Sequence, residues 1–243
     1  VHHEEEHSDV PTGRKMAMTS SLVATRLVRW RRGLTDLLHP GPVPLRTACL
    51  TVVLVLITLA VIDVLLVLGI HTYGRAARYF GEGRAGTYYS GLQLVACAAA
   101  AGLLARKAGP PPFRRFWWTV AVGMMFLAAD EFYGIHEELD RGIHKLMGWR
   151  DTKHWLTDHL DDAIEALYGI VALVWADRHF EKVLMLRWPA LILGAGFIGF
   201  VLMLVLDLSG RFAAVEDSIK LVAETLILSA LISARWDPRF PAR

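Results

Sequence analysis

Cysteine is scarce in this 243-residue chain, and the two that occur, Cys49 and Cys97, both stand inside apolar runs. A thiol in that setting behaves as a small hydrophobe, so neither a disulfide framework nor a thiolate metal site can be built. Also missing are a glycine-rich phosphate loop, a Gly-x-Ser-x-Gly nucleophile elbow and a His-Glu-x-x-His zinc helix. Their absence argues against the nucleotide-binding and hydrolase classes that depend on them. An excess of charge of one sign is lacking too. The 26 basic and 24 acidic side chains leave a net +2, and no polyanion such as nucleic acid is expected as a partner. The N-terminal residues show no basic stretch leading into a short apolar run and a small-residue cleavage site. The first membrane helix is therefore expected to act as its own insertion signal.

What the chain has in abundance is apolar length. Hydrophobic residues make up 54% of it and the mean hydropathy is +0.37, more apolar than an ordinary soluble domain. A hydrocarbon layer of about 30 Å needs roughly 20 apolar residues at about 1.5 Å each. Six segments approach that length: 46–70, 86–105, 116–146, 158–176, 188–208 and 213–234. The third is apolar only to Ala129 and is expected to continue as a polar helix. The pattern predicts an all-α, polytopic membrane helix bundle of about six transmembrane helices within residues 41–236, in contact with the lipid bilayer.

The flanking residues read differently. Residues 1–18 are polar and predict a disordered tail, and 237–243 form a short cytoplasmic tail. Across 19–40, Val23, Leu27, Trp30, Leu34 and Leu37 recur at helical spacing, with Arg26, Arg29, Arg31 and Arg32 on the remaining arc. That predicts an amphipathic helix lying on the membrane surface. In the six-segment arrangement 17 of the 26 basic residues fall on the side of the two termini, and 16 of the 24 acidic residues on the other. The positive-inside rule then predicts both termini in the cytoplasm and the chain in a bacterial inner membrane, with Trp117, Trp118 and Trp188 as interfacial anchors.

The outward ends of the segments carry an unusual density of carboxylates and imidazoles. At 100° per residue a continuous third helix would align Asp130, Tyr133, Glu137, Arg141 and His144, with Glu131 and Glu138 in a second stripe beside them. The fourth segment places His154, Asp158, Asp161, Glu165 and Tyr168 on one face, with His159 and Asp162 beside it. The sixth brings Glu216, Asp217, Lys220 and Glu224 together, while the second contributes Tyr88, Tyr89, Ser90 and Gln93 and the first Asp63, expected to be a hydrogen-bonded structural residue. A charge in the bilayer interior costs at least about 2.5 kcal/mol, so such groups must be paired, hydrated or bound to an ion. Lys220 can pair with Glu216 or Glu224, and Arg141 with Glu137, at a spacing of four. Asp130, Glu131, Asp161, Asp162 and Glu165 have no evident partner in the sequence.

The Asp-Glu-x4-His-Glu stretch at Asp130 to Glu137 resembles a segment found at the end of a membrane helix in a loose set of uncharacterised bacterial multi-pass membrane proteins. The similarity covers the third segment and, more faintly, the acidic sixth, and it implies no particular activity.

Two chemistries fit the surplus of negative charge. A divalent transition metal (Zn, Fe or Mn) would be held by Glu131, His136, His159, Asp162 and Glu165, with Glu216 and Glu224 as further ligands or proton acceptors. Activated water or redox chemistry at the membrane surface would follow. In the alternative the same carboxylates conduct protons or cations, with Asp130, Glu137, Asp161 and Lys220 in the relay alongside Glu216 and Glu224. A third possibility is a structural subunit whose polar face pairs with a partner membrane chain or with a second copy of itself.

Overall fold

The computed structural model describes Thr35 and residues 41–80, 83–148, 160–177, 179–207 and 213–242, apart from the side chains at 161, 162, 165, 173, 176, 177, 180 and 181. The expected tail at 1–18 lies outside the described residues, as does the expected surface helix at 19–40 except for Thr35. From Gly41 onward the chain forms one compact unit. Among the described residues it is helical throughout, with one isolated antiparallel bridge between Ala108 and Ala242.

Helix α1 spans Leu45–Tyr73 and ends at Gly74, whose φ of 66° lets its N–H and that of Arg75 return to the carbonyls of Ile70 and Gly69. A short 3-10 turn follows at Ala76–Tyr79. Then come α2 at Ala85–Lys107, α3 at Pro111–Tyr133, α4 at Ile135–Met147, α5 at Leu160–Asp177, α6 at Phe180–Leu184, α7 at Arg187–Asp207 and α8 at Ala213–Ala234. Prolines at the start of α3 need no intrahelical N–H partner, which is why the helix can begin there.

Among the described residues, three helices are long and apolar enough to cross a membrane: α1, α2 and α7. The expectation of about six such helices is met only to that extent. Helix α8 has 22 residues, and about 1.5 Å per residue makes it about 33 Å long, enough to span. It carries Glu216, Asp217, Lys220 and Glu224, and this number of charges sets it apart from α1, α2 and α7.

Its surroundings explain how α8 tolerates them. It packs against α7, α1 and α2 and buries Leu221, Ala223, Glu224, Thr225, Ile227, Ser229, Ala230, Leu231, Ser233 and Ala234 along its length. Small residues allow the close approach. A Cβ on Gly196 of α7 would lie 2.9 Å from the Ala223 carbonyl oxygen, and one on Gly199 2.9 Å from the Ala223 side chain. On the other flank, α2 meets α3 through Cys97, Ala101, Leu104 and Ala105 against Phe113, Phe116, Trp117 and Ala121. Trp117, expected as an interfacial anchor, is instead 3% exposed, its ring edge-on to Phe116 with centroids 4.8 Å apart. Asp63 departs from expectation in the opposite sense, since it sits on the exposed outer side of α1.

Gly196→Val should force α7 away from α8 and cost about 1–3 kcal/mol, as overpacking of tight contacts does. Thermal unfolding of the detergent-solubilised protein should show a clear loss, whereas Gly194→Val, at a glycine whose added Cβ meets nothing within 4 Å, should behave as wild type. Equal melting of both variants would contradict the packing described.

Candidate functional site

The polar site begins where the expected long third helix breaks. Gly134 adopts φ 58° and ψ 48°, a left-handed conformation that ends α3, and its N–H donates to the Asp130 carbonyl at 2.7 Å. The chain then starts α4 in a new direction, and the continuous stripe from Asp130 to His144 is not formed. Asp130 secures the corner. Its Oδ1 accepts the backbone N–H of His136 at 2.8 Å, and its Oδ2 lies 2.9 Å from His136 Nδ1. The carboxylate thereby satisfies a donor in the first turn of α4, which Gly134 has no side chain to reach. Only 5% of Asp130 is exposed, and it has the partner that the sequence did not reveal.

Glu131 is matched from across the bundle. Lys220 Nζ of α8 donates to its Oε1 at 2.9 Å and its Oε2 at 2.7 Å, with both side chains largely buried. This pair ties the end of α3 to α8, 89 positions away in sequence. A carboxylate engaged through both oxygens by an ammonium is held as part of an ion pair.

One turn deeper along α8 is Glu224, which is 0% exposed. Ser90 of α2 donates to its Oε1 at 2.6 Å, while its Oε2 is buried and accepts no hydrogen bond among the described residues. Next to it, Thr225 belongs to a compact hydroxyl network. Thr225 lies 2.9 Å from the Leu221 carbonyl, to which it can donate, and its hydroxyl is 2.7 Å from that of Thr58 of α1. Tyr89 reaches the Thr58 hydroxyl at 2.9 Å. Gln93 Nε2 donates to Thr225 at 2.6 Å and to Thr58 at 3.3 Å. Gln93 Oε1 is left buried without a donor. Farther along α8, Ser229 meets Thr51 of α1 at 2.5 Å.

The remaining candidate residues are dispersed. Glu137 and Glu138 face Arg141 within α4 at 3.6 and 2.9 Å, and Asp140 meets His144 at 2.9 Å, all on the surface helix or partly buried against it. Glu216 is half-buried at the start of α8. His159 and the side chains of Asp161, Asp162 and Glu165 lie outside the described residues. Among the described residues no group of three or more His, Cys, Asp or Glu side chains is placed to hold a metal ion. Two members of the expected set that are described have other partners, His136 meeting Asp130 and Glu131 meeting Lys220.

Residues 47–235 match the family model described as Domain of unknown function (DUF8692). The chain belongs to that family. No curated protein and no solved structure matches it. The DUF8692 domain runs from the first turn of α1 to just past α8, so Asp130, Glu131, Lys220, Glu224 and the hydroxyl network all lie within it.

Sequence reasoning had singled out Glu224, Ser90, Tyr89 and Gln93 but missed Thr58, Thr225, Thr51 and Ser229. Threonine and serine barely disturb an apolar run and can satisfy themselves on a helix carbonyl, so hydropathy does not mark them. Their one signal is the spacing of four between Thr225, Ser229 and Ser233 on α8.

Lys220→Met leaves Glu131 with its charge unmatched in a largely buried position and should cost about 2–3 kcal/mol, below the full penalty of a wholly buried pair because some solvent reaches it. Adding Glu131→Gln should recover much of that loss. Unfolding of the single and double variants in detergent measures the coupling, and strictly additive effects would mean that the pair contributes nothing.

Proposed function

We propose that this DUF8692 protein is a multi-pass protein of the bacterial inner membrane, with about six crossings and both termini cytoplasmic, that moves protons or small cations through the carboxylates of its outer half. The observation that carries this reading is Glu224: wholly buried among membrane-length helices, with one carboxylate oxygen held by Ser90 and the other unbonded. A carboxylate with no stabilising partner for half of its charge is costly in a low-dielectric interior unless it gains a proton or a cation. Groups that exchange such a charge flank it along α8. Lys220, Glu131, Asp130 and His136 lie toward the start of the helix, and the hydroxyls of Thr225, Ser229 and Ser233 toward its end.

Reconstituted into liposomes, the protein should collapse an imposed pH or cation gradient, and Glu224→Gln should slow this by about tenfold or more, since the exchangeable charge at the deepest point is gone. Liposomes indistinguishable from protein-free controls would overturn the reading. A divalent-metal centre would instead rest on His159, Asp162 and Glu165. Stoichiometric zinc, iron or manganese in the purified protein, lost in His159→Ala, would favour that enzyme-like alternative.

A specific observation supports the partner-subunit reading as an addition. Asp63 is exposed on the outer side of α1, among Leu56, Leu59, Val64 and Val67. A carboxylate facing lipid costs roughly 2.5–3.5 kcal/mol, which a second copy or another membrane chain covering that face would relieve. Asp63→Leu should then lower the apparent mass of the solubilised complex, and an unchanged mass would argue against a partner at this face.

A further inference from the structure

We infer that Glu224, Ser90 and Gln93 form a binding site for one dehydrated monovalent cation, for which Na+ and a proton compete. This deepens the transport reading above and rests on it for its biological meaning, though the binding itself can be measured without transport.

Two buried acceptors without donors stand in the same layer of the bundle. Glu224 Oε2 is on α8, beside Thr225, and Gln93 Oε1 is on the side chain that binds Thr225. Ser90, which holds the other oxygen of Glu224, precedes Gln93 by three residues on α2, so both project from one face of that helix. The two helices therefore bring these oxygen atoms into one buried layer. The groups around them bond elsewhere: the hydroxyls of Thr58, Thr225 and Tyr89 bond to one another and to the Leu221 carbonyl, both Gln93 N–H groups go to the two threonines, and the Cys97 thiol is directed to the Glu224 backbone carbonyl. Among the described residues no donor is within hydrogen-bond distance of either unsatisfied oxygen. What the layer lacks is positive charge or a donor from outside the protein.

Charge decides the valence. Glu224 contributes one negative charge, and the nearest base along α8, Lys220, is already matched by Glu131. A monovalent cation therefore makes the layer neutral. A divalent ion would leave one uncompensated positive charge in a low-dielectric interior, the same kind of penalty that makes a lone carboxylate costly there. The two unsatisfied atoms are oxygens, which suits a hard cation, and the buried Cys97 thiol of α2 beside them is directed to the Glu224 backbone carbonyl at 3.9 Å rather than to either oxygen. Burial of Ser90, Thr58, Thr225 and Glu224 to within 1% of complete favours a small ion. Na+ fits these terms, and when it enters as a protonated Glu224 loses its proton, one positive charge replaces another and the layer stays neutral.

The test uses the full-length protein in detergent. NaCl added to a weakly buffered sample should release up to one proton per protein and raise the melting temperature saturably, with choline chloride at equal ionic strength doing neither. The half-maximal Na+ concentration should rise about tenfold for each unit of pH lowered while the site is protonated, as direct competition requires. Glu224→Gln should abolish proton release. Because that variant also alters the contact with Ser90, Gln93→Leu provides a second probe: it keeps the carboxylate and should weaken Na+ binding about tenfold through loss of one ligand oxygen. Wild-type protein that releases no proton and gains no stability with Na+ between pH 6 and 9 would overturn the site, as would Mn2+ or Zn2+ displacing the proton as readily as Na+. If Na+ fails here while liposomes still pass protons, the transport reading stands and only the Na+ site falls. If Na+ binds but liposomes are silent, the site stands without transport.

Discussion

The arrangement depends on the contact between Lys220 and Glu131. It is the place where a base from the last helix answers an acid from the end of α3, and it brings two segments that are remote in sequence to the same depth of the bundle. In a low-dielectric environment an unmatched charge is penalised far more than an unmatched apolar group, so the pair restricts how α3 and α8 can be aligned. Small residues then allow the helices to close. Gly196 and Gly199 admit Ala223, and the alanine-rich part of α2 receives the aromatic side of α3.

From that pair the polar groups are layered along α8. At its start, Asp130 and His136 fix the corner at Gly134, so that α3 ends there and α4, which packs against α5, begins. One turn below the ion pair, Glu224 has only Ser90. Beside Glu224, the hydroxyls of Thr58, Thr225 and Tyr89 and the Gln93 amide nitrogen bond to one another, which leaves Gln93 Oε1 buried without a donor like Glu224 Oε2. The ion pair above is matched, and the layer that holds these two unsatisfied oxygens is the one with reason to exchange a charge. This contrast, more than the abundance of carboxylates, distinguishes Glu224 from Asp130 and Glu131.

Much of this was legible in the residue order. Helix positions followed from the length of apolar runs, because a span must be continuous to satisfy its backbone in lipid. The segments expected at 188–208 and 213–234 match α7 and α8 to within a residue. The prominence of Glu224 and Lys220 also followed from sequence, since a charge in an apolar run is conspicuous there. The break at Gly134 was harder to anticipate. A glycine within a helical pattern is often tolerated, and what made this one a terminus was the cap that Asp130 and His136 supply once the chain has turned.

The sequence alone determined that the chain is helical, that several of its helices are of membrane character, and that acids gather near the ends of certain segments, because these depend on local composition and period. Which acid meets which base was decided only by tertiary structure. Asp130 and Glu131 are neighbours on one helix, yet one turns to His136 six residues on and the other to Lys220 across the bundle. Helical period sets the direction in which a side chain leaves its own axis but says nothing of the neighbour that will stand there, and in a low-dielectric interior that neighbour determines whether a carboxylate is a strut or a site.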